Sequence, residues 1–199
     1  PKAGTLMTHS FDNISQQSDA IRAGETCPSE LVGKCCSFIE TRESRLGAFQ
    51  EVYIDDALKA AEAADRSIDS GHRIGPFHGI PFALKDIIEV EGKITTAGSP
   101  LRKDHISKAT AVIASRLISS GGILVGKTKT VEFAFGGWGT NEHMGTPWNP
   151  WDSTEHRAPG GSSSGSAVAV AAGLAGCAVG TDTGGSVRLP SSWCGLVGL

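Results

Sequence analysis

Two serines of the sequence lie next to glycines in a way that could support nucleophilic catalysis. Ser186 follows Thr183-Gly184-Gly185, and a run of small residues lets several backbone N–H groups converge on one oxygen, as an oxyanion requires. The same residues suit an ordinary tight turn equally well. Ser162 follows Gly160-Gly161, and taken alone it is a loop serine. A serine nucleophile would still need a base.

Lys85 is the candidate base. It follows Pro81-Phe82-Ala83-Leu84, a run that predicts a buried strand. Burial removes hydration from an amine and lowers its pKa, so that the neutral form becomes available to accept a proton. Asp86 offers the alternative of a plain ion pair with Lys85, and the local sequence alone favours that alternative.

Two short motifs match well-known sites but lack the context that those sites need. Residues 121–128 match the P-loop pattern, yet a helical pattern precedes them and Ile123-Leu124-Val125 favours a strand where a phosphate loop should be. We therefore predict a helix–strand connection. Gly161–Gly165 matches the nucleophile elbow GxSxG, which needs a strand immediately upstream; residues 154–159 are instead typical of a loop.

The Gly/Ser loop that contains Ser162 opens onto a predicted helix. Backbone N–H groups at such a position can bind an anion. A phosphate-binding module without hydrolytic activity therefore stays open as an alternative function.

Composition excludes several classes of protein. The chain has 199 residues, of which 20% are charged and 39% apolar, with a net charge of −3. Nothing in this balance favours nucleic acid or an anionic membrane as a partner. No uncharged apolar run approaches the ~20 residues that a membrane span needs. The sequence therefore predicts a globular protein with no nucleic-acid or membrane partner.

The cysteines and histidines give no metal-binding pattern. The five cysteines form no CxxC pair, and no His/Cys spacing suits zinc. None of the six histidines has a ligand or triad spacing. We predict reduced thiols in a cytoplasmic protein, with no metal and no other cofactor. The cysteines are Cys27, Cys35, Cys36, Cys177 and Cys194.

Strands and helices alternate along the chain. Helices are predicted from residue 28 onward and over 55–70, 109–119 and 166–174, and strands over 48–53, 80–84, 123–125 and 177–181. This order predicts an α/β fold, with a mixed β-sheet core flanked by helices.

Residues 1–26 are expected to form an N-terminal arm or helix, and residues 27–199 a single domain. The apolar run Gly195–Leu199 at the end predicts a buried strand or turn. We therefore expect an incomplete domain, truncated at its C-terminus.

Three segments together resemble the amidase signature family of serine hydrolases. They are Gly-Gly-Ser-Ser-Ser-Gly-Ser at 160–166, Gly-Thr-Asp-Thr-Gly-Gly-Ser-Val-Arg at 180–188 and Gly-Ile-Pro-Phe-Ala-Leu-Lys-Asp at 79–86. Weaker likeness extends through 95–99, 126–128 and 149–151. The resemblance covers roughly residues 28–199, and members of the family are longer, so the chain is similar to the N-terminal part of an amidase domain.

The resemblance implies a Ser-Ser-Lys triad. Ser186 matches the nucleophile that forms the acyl-enzyme, and Lys85 matches the base. Ser162 matches the bridging serine that relays the proton, which in the family follows a cis peptide bond.

The resemblance also implies the residues around that triad. Backbone groups of Thr183, Gly184, Gly185 and Ser186 match the oxyanion hole. Asp182 and Arg188 match polar positions that are expected to hold the loop. Gly136 and Gly137, followed by Trp138, match a stretch near the acyl side of the substrate, although a loop with a packed tryptophan is an equally good interpretation.

The implied function is an amidase that releases ammonia or an amine from a small linear amide, acting on carbon–nitrogen bonds other than peptide bonds. The alternative within the family is the glutaminase-type component of a tRNA-dependent amidotransferase, which needs partner chains. A tryptophan that fills space near the pocket, as Trp138 is expected to do, weighs weakly against glutamine as the substrate. The sequence leaves a homodimer open.

Overall fold

Six helices and four strands organise residues 12–199, the part of the chain that the computed structural model describes. The helices are α1 (Ile14–Ala23), α2 (Pro28–Leu46), α3 (Ile54–Asp69), α4 (Val112–Ser119), α5 (Ser164–Ala171) and α6 (Arg188–Cys194). The strands are β1 (Phe49–Val52), β2 (Pro81–Lys85), β3 (Ile123–Thr128) and β4 (Cys177–Val179). Two short 3₁₀ helices lie at Pro100–Arg102 and Glu132–Ala134.

The four strands form one mixed sheet in the order β1-β3-β2-β4. β2 runs parallel to β3 and β4, whereas β1 is antiparallel to β3. All five residues of β2 are buried, which explains why its sequence is a continuous apolar run rather than an alternating one. β4 lies at one edge and is only half-buried. The predicted mixed α/β fold is confirmed.

The sheet buries a different cluster on each face. Residues of α2, α3 and α5 pack with Ala83 and Val125 on one face. Phe82 and Leu84 pack on the other face, with Ala114 of α4. Successive residues of a strand point to opposite faces, so β2 contributes to both clusters. The Ser, Gly, Ala and Val residues of α5 are small, and six of its eight residues are buried.

The helix ends follow local chemistry. Asn13 and Gln16 form a capping box at the start of α1, and Gly24, with a φ of 72°, ends it. Pro28 begins α2, as its sequence predicts. Of the expected N-terminal arm, residues 1–11 lie outside the described residues, and most of the remainder is α1. The boundary between an arm and a domain at residue 27 stays a prediction.

Most predicted elements are present, with some different bounds. α4 begins at Val112 rather than at residue 109. β3 continues to Thr128 because Gly126, Lys127 and Thr128 pair with both neighbouring strands. The segment that matches a P-loop, residues 121–128, is therefore the turn after α4 followed by β3, which confirms the predicted helix–strand connection.

The C-terminal part differs from expectation. α6 was not predicted, because it is short and contains Pro190 in its first turn, a position where a helix tolerates proline. The predicted burial of Gly195–Leu199 is found only in part: Leu196 packs against the cluster that contains α5, whereas Val197 is 90% exposed and Leu199 is fully exposed. The last residues line an open groove of about 980 Å³ with α5 and β4.

Within the described part of the chain, no helix combines the length and the apolar character that crossing a bilayer requires. All five cysteines are free thiols.

Candidate active site

Lys85 ends β2 and points from the sheet toward the start of α5. Its side chain has no exposed surface. The Nζ atom donates one hydrogen bond to Ser162 Oγ, at 2.7 Å, and another to Thr181 Oγ1, at 2.8 Å. Two hydroxyl groups, rather than a carboxylate, therefore surround this buried amine.

The surroundings of Lys85 favour its neutral form. Burial lowers the pKa of its amine from 10.5 to about 8, although the negative charge of Asp182 acts in the opposite direction. Asp86 does not pair with Lys85: its carboxylate binds Lys127 Nζ at 2.8 Å. The alternative of a plain Lys85–Asp86 ion pair is therefore wrong.

Ser162 is fixed in the turn that leads into α5. The peptide bond between Gly161 and Ser162 is cis, as the family resemblance implies. The side chain of Ser162 is fully buried, and its carbonyl accepts hydrogen bonds from Val131 N, at 3.2 Å, and Thr130 Oγ1, at 3.0 Å. These contacts hold the hydroxyl group beside the Lys85 amine.

Only glycine fits at position 161. A Cβ there would lie 2.7 Å from Gly139 N and 2.9 Å from Gly136 O, closer than real Cβ contacts. Backbone of the neighbouring loop therefore approaches the cis peptide directly.

Ser186 lies in the loop that joins β4 to α6 and is half-buried. Its carbonyl accepts a hydrogen bond from Ser163 N at 3.2 Å, which places it beside the Ser162 turn. Among residues 12–199, however, its hydroxyl group has no hydrogen-bond partner. The structure thus brings the side chains of Lys85 and Ser162 into contact. Ser186 lies beside them, but its hydroxyl group is hydrogen-bonded to neither.

Asp182 organises the Ser186 loop. Its carboxylate accepts hydrogen bonds from the backbone N–H groups of Gly185, at 2.6 Å, Val187, at 3.0 Å, and Arg188, at 3.1 Å. The Arg188 guanidinium adds two more, at 3.0 and 2.9 Å. Together these donors, first of all the guanidinium, hold the pKa of Asp182 well below its usual range. Both residues have the surroundings expected of loop-holding groups.

The backbone N–H groups near Ser186 are not equivalent. Those of Thr183, Gly184 and Ser186 donate to no group among the described residues. That of Gly185 is occupied by Asp182 Oδ1, so in this arrangement it cannot also serve an oxyanion. Gly185 has a φ of 126°, which only glycine adopts without strain.

The loop with Gly136 and Gly137 packs against the Ser162 turn. Gly137 O accepts a hydrogen bond from Gly161 N at 2.7 Å, and Trp138 O accepts one from Gly160 N at 3.2 Å. The side chain of Trp138 is 68% exposed and meets Trp193 edge to face, with ring centroids 5.5 Å apart. Trp138 is therefore not packed in the core of residues 12–199, and its place near the substrate stays a prediction.

Two residues of this site were not singled out in the sequence. Thr181 is the second partner of Lys85, and Ser163 is bonded to it in both directions: Thr181 N donates to Ser163 Oγ at 3.2 Å, and Ser163 Oγ donates to Thr181 O at 3.3 Å. Both lie inside the two serine-glycine segments. In the sequence each of them is only a hydroxyl-bearing residue next to a candidate residue. That position becomes informative once the two serine-glycine segments are known to lie against each other.

The rival site types fit this geometry poorly. No strand lies within residues 154–161, which agrees with rejecting the nucleophile elbow. Four N–H groups of the Gly/Ser loop already donate to backbone carbonyls, which leaves fewer of them for an anion. These are the N–H groups of Gly160, Gly161, Ser163 and Gly165. Across residues 12–199, no cluster of His, Cys, Asp and Glu could hold a metal ion.

Comparison with curated proteins gives long matches. Over 187 residues the chain is 42% identical to the 2-amino-5-chloromuconic acid deaminase of Comamonas testosteroni, a match that covers 94% of this chain and 40% of that protein. Over 186 residues it is 44% identical to the A-type subunit of the glutamyl-tRNA(Gln) amidotransferase of Chloroflexus aurantiacus, covering 94% and 38%. The chain therefore spans about 40% of the length of these curated relatives.

Solved structures share the fold. The native peptide amidase of Stenotrophomonas maltophilia superposes with a TM-score of 0.83 at 34% identity, over 92% of this chain and 38% of that one. The 6-aminohexanoate cyclic dimer hydrolase, complexed with its substrate, gives 0.82 at 31% identity, over 92% and 36%. The sequence model of the family described as Amidase matches residues 30–199. The chain therefore belongs to the amidase signature family.

Proposed function

We propose that the protein containing this chain hydrolyses the carbon–nitrogen bond of small linear amides through a Ser186 acyl-enzyme. The observation that carries this proposal is the 2.7 Å hydrogen bond between Lys85 Nζ and Ser162 Oγ. A buried amine whose partners are hydroxyl groups, and whose pKa is lowered to about 8, can act as a base near neutral pH.

Acylation begins when neutral Lys85 takes the proton of Ser162 while Ser162 takes that of Ser186. This relay requires the Ser186 hydroxyl group to rotate into contact with Ser162 Oγ when substrate binds. The Ser186 oxygen then forms a bond to the amide carbon, and the carbonyl oxygen becomes an oxyanion. The relay returns the proton to the leaving nitrogen, the carbon–nitrogen bond breaks, and ammonia or an amine departs.

Deacylation repeats the relay with water in place of Ser186. Water loses a proton to the Ser162–Lys85 pair and attacks the ester carbon. The ester bond breaks, Ser186 regains its proton, and the carboxylic acid is released. No metal ion or other cofactor has a step in this scheme.

The oxyanion needs donors that are not already bonded. The N–H groups of Thr183, Gly184 and Ser186 meet this requirement, whereas Gly185 supports the loop through Asp182. Losing a single such donor typically lowers the rate of the chemical step by about 10²–10³. We propose Gly136 and Gly137 as substrate neighbours, because their loop is hydrogen-bonded to the Ser162 turn.

The glutaminase-type component of an amidotransferase is the second candidate, since a relative of that kind is 44% identical. Such a protein would take glutamine as the amide and depend on partner chains. Ammonia release from simple amides by the isolated protein favours the amidase. Activity restricted to glutamine and dependent on added partner chains favours the amidotransferase. A phosphate-binding module without hydrolytic activity predicts neither activity.

The first experiment treats the full-length protein with a serine-directed fluorophosphonate and measures its intact mass. One adduct is expected on the wild type and none on Ser186→Ala. Ser192→Ala is the matched control, because Ser192 is an exposed serine of α6 outside the candidate triad; this variant should keep the adduct. An adduct that persists in Ser186→Ala would overturn the assignment of the nucleophile.

A further inference from the structure

The proposed reaction makes no use of a second buried lysine. Lys127 has no exposed surface, and Asp86 is 1% exposed. Lys127 Nζ donates to Asp86 Oδ1 at 2.8 Å and to Thr95 Oγ1 at 2.9 Å. Thr96 donates to Asp86 Oδ2 through its N–H, at 3.0 Å, and its hydroxyl group, at 2.5 Å. Desolvation makes a buried ion pair a poor source of stability, so stability alone does not explain this network.

The pairing of β2 with β3 places the two lysines on opposite faces of the sheet. Lys85 is the partner of Thr128, and Leu84 is the partner of Lys127. Thr128 Oγ1 contacts Ser166 of α5 at 2.7 Å, so the Lys85 face is the one that carries the candidate site. Leu84 belongs to the opposite cluster, beneath α4. The Asp86–Lys127 pair therefore lies across the sheet from the Lys85 amine.

We propose that Lys127 is a positioning residue for the proposed reaction: it holds the Asp86 carboxylate on the far face of the sheet and cancels its charge, so that Asp86 does not act as a counter-ion to Lys85. This inference rests on the proposed function. It also explains why a carboxylate next in sequence to Lys85 leaves the base without an ion-pair partner.

The remaining charges around Lys85 are engaged elsewhere. Asp182, after β4, pairs with Arg188 of α6 at 2.9 Å. Lys129, after β3, interacts with Glu43 of α2. α5 contains no titratable side chain. On β4 the Cys177 thiol stays neutral, because burial raises its pKa to about 12. Asp182 still raises the pKa of Lys85 to some extent, and this contribution stays constant when Asp86 or Lys127 is substituted.

Removing one partner of the pair leaves an uncompensated charge, and the sign depends on which one is removed. In Lys127→Met, the Asp86 carboxylate stabilises protonated Lys85. In Asp86→Asn, the Lys127 ammonium disfavours protonated Lys85. A charge within about 4–6 Å shifts a pKa by about 1–3 units, in opposite directions for opposite signs; because this pair lies across the sheet, we expect shifts at the low end of that range. The acidic limb of the kcat/KM profile reports this group in the free enzyme.

The experiment measures kcat/KM for amide hydrolysis against pH in the full-length protein. We expect the acidic limb to move up by about one pH unit in Lys127→Met and down by a similar amount in Asp86→Asn. In the double variant Lys127→Met/Asp86→Asn, the limb should return to the wild-type position. A merely structural role would lower activity without moving the limb in opposite directions.

The inference would be overturned if the acidic limbs of the kcat/KM profiles coincided in all active variants, or if they all moved in the same direction. If Lys127→Met fails to fold, the downward shift of Asp86→Asn and its reversal in the double variant decide the question. The wild type, labelled by fluorophosphonate at a single pH, tests the proposed function separately. An unlabelled, inactive wild type rejects the function and this inference together, whereas an active wild type with unmoved limbs rejects this inference alone.

Discussion

The two halves of the candidate site are held in place by different means. Lys85 and Ser162 are both fully buried, between β2 and the start of α5. Ser186 is half-buried, in a loop that follows the edge strand β4. Packing and short hydrogen bonds fix the first half, which we call the closed half. The Asp182–Arg188 contacts fix the second, which we call the open half.

This difference predicts which substitutions should change the free energy of unfolding as well as the reaction, and which should change mainly the reaction. In the closed half, Lys85 loses hydration, and its lowered pKa is a direct consequence of burial. In the open half, charge-assisted hydrogen bonds order a loop that is partly in contact with solvent. Substitutions in the closed half should therefore affect both the reaction and the free energy of unfolding. Substitutions in the open half should affect mainly the reaction.

The largest effect is expected from Lys85→Met. Loss of a general base should lower kcat by about 10²–10⁴, measured as ammonia release under saturating amide. The free energy of unfolding at pH 7 should rise, because a neutral side chain replaces an amine that is buried with a desolvation penalty. Lys103→Met, at an exposed lysine, is the control and should change neither quantity. Retained activity in Lys85→Met would exclude Lys85 as the base.

The pH dependence of stability should reveal the same lysine without any activity measurement. Between pH 8 and 10.5, an unfolded Lys85 still holds a proton that the folded chain has lost. The unfolded state therefore binds more protons, and the free energy of unfolding rises with pH. The slope is about 1.4 kcal/mol per pH unit, or ~3 kcal/mol over this window.

Chemical denaturation at several pH values checks this slope, with Lys85→Met as the reference. The wild type minus the variant should give a difference that climbs between pH 8 and 10.5 and is level below pH 8. A flat difference would mean that the amine keeps an ordinary pKa in the folded protein, which contradicts the description of the closed half.

Sequence patterns were informative wherever the structure depends on neighbours along the chain. The helical periodicity after Pro28 and the apolar run before Lys85 predicted α2 and β2 closely. The partner of Asp86 could not be predicted, because Lys127 lies 41 residues away and meets it only through the register of β2 with β3. The same applies to Thr181, which reaches Lys85 only when β4 pairs with β2. Exposure of Trp138 was missed because an aromatic residue in a Gly-rich loop carries no signal for which side faces solvent.

A smaller effect is expected from Asp182→Asn in the open half. Asparagine keeps one acceptor oxygen but loses the charge that binds Arg188 and the Gly185 N–H group. A displaced loop should lower kcat/KM by about 10- to 100-fold, while the urea midpoint of unfolding scarcely changes.

Asp152→Asn is the matched control for this variant. Asp152 accepts hydrogen bonds from Thr154, Glu155 and Arg157 in a similar local turn, which contains none of the candidate catalytic residues. This control should keep wild-type activity. If both variants lose activity equally, or if Asp182→Asn unfolds the protein, the open half is not held as described.

The smallest effect is expected from Trp138→Ala, which compares an exposed tryptophan beside α6 with one that packs on the core. Trp138 is 68% exposed and contacts Trp193 edge to face, an arrangement typically worth about 0.5–1.5 kcal/mol. Trp148 packs against the cluster that α2, α3 and α5 form with the sheet, and it stacks on His156, with ring centroids 4.6 Å apart. Thermal unfolding should therefore show a loss of about 1 kcal/mol or less for Trp138→Ala and about 3 kcal/mol for Trp148→Ala. Equal losses would show that Trp138 is covered in the full-length protein, and the contrast between a closed and an open half would then apply to residues 12–199 alone.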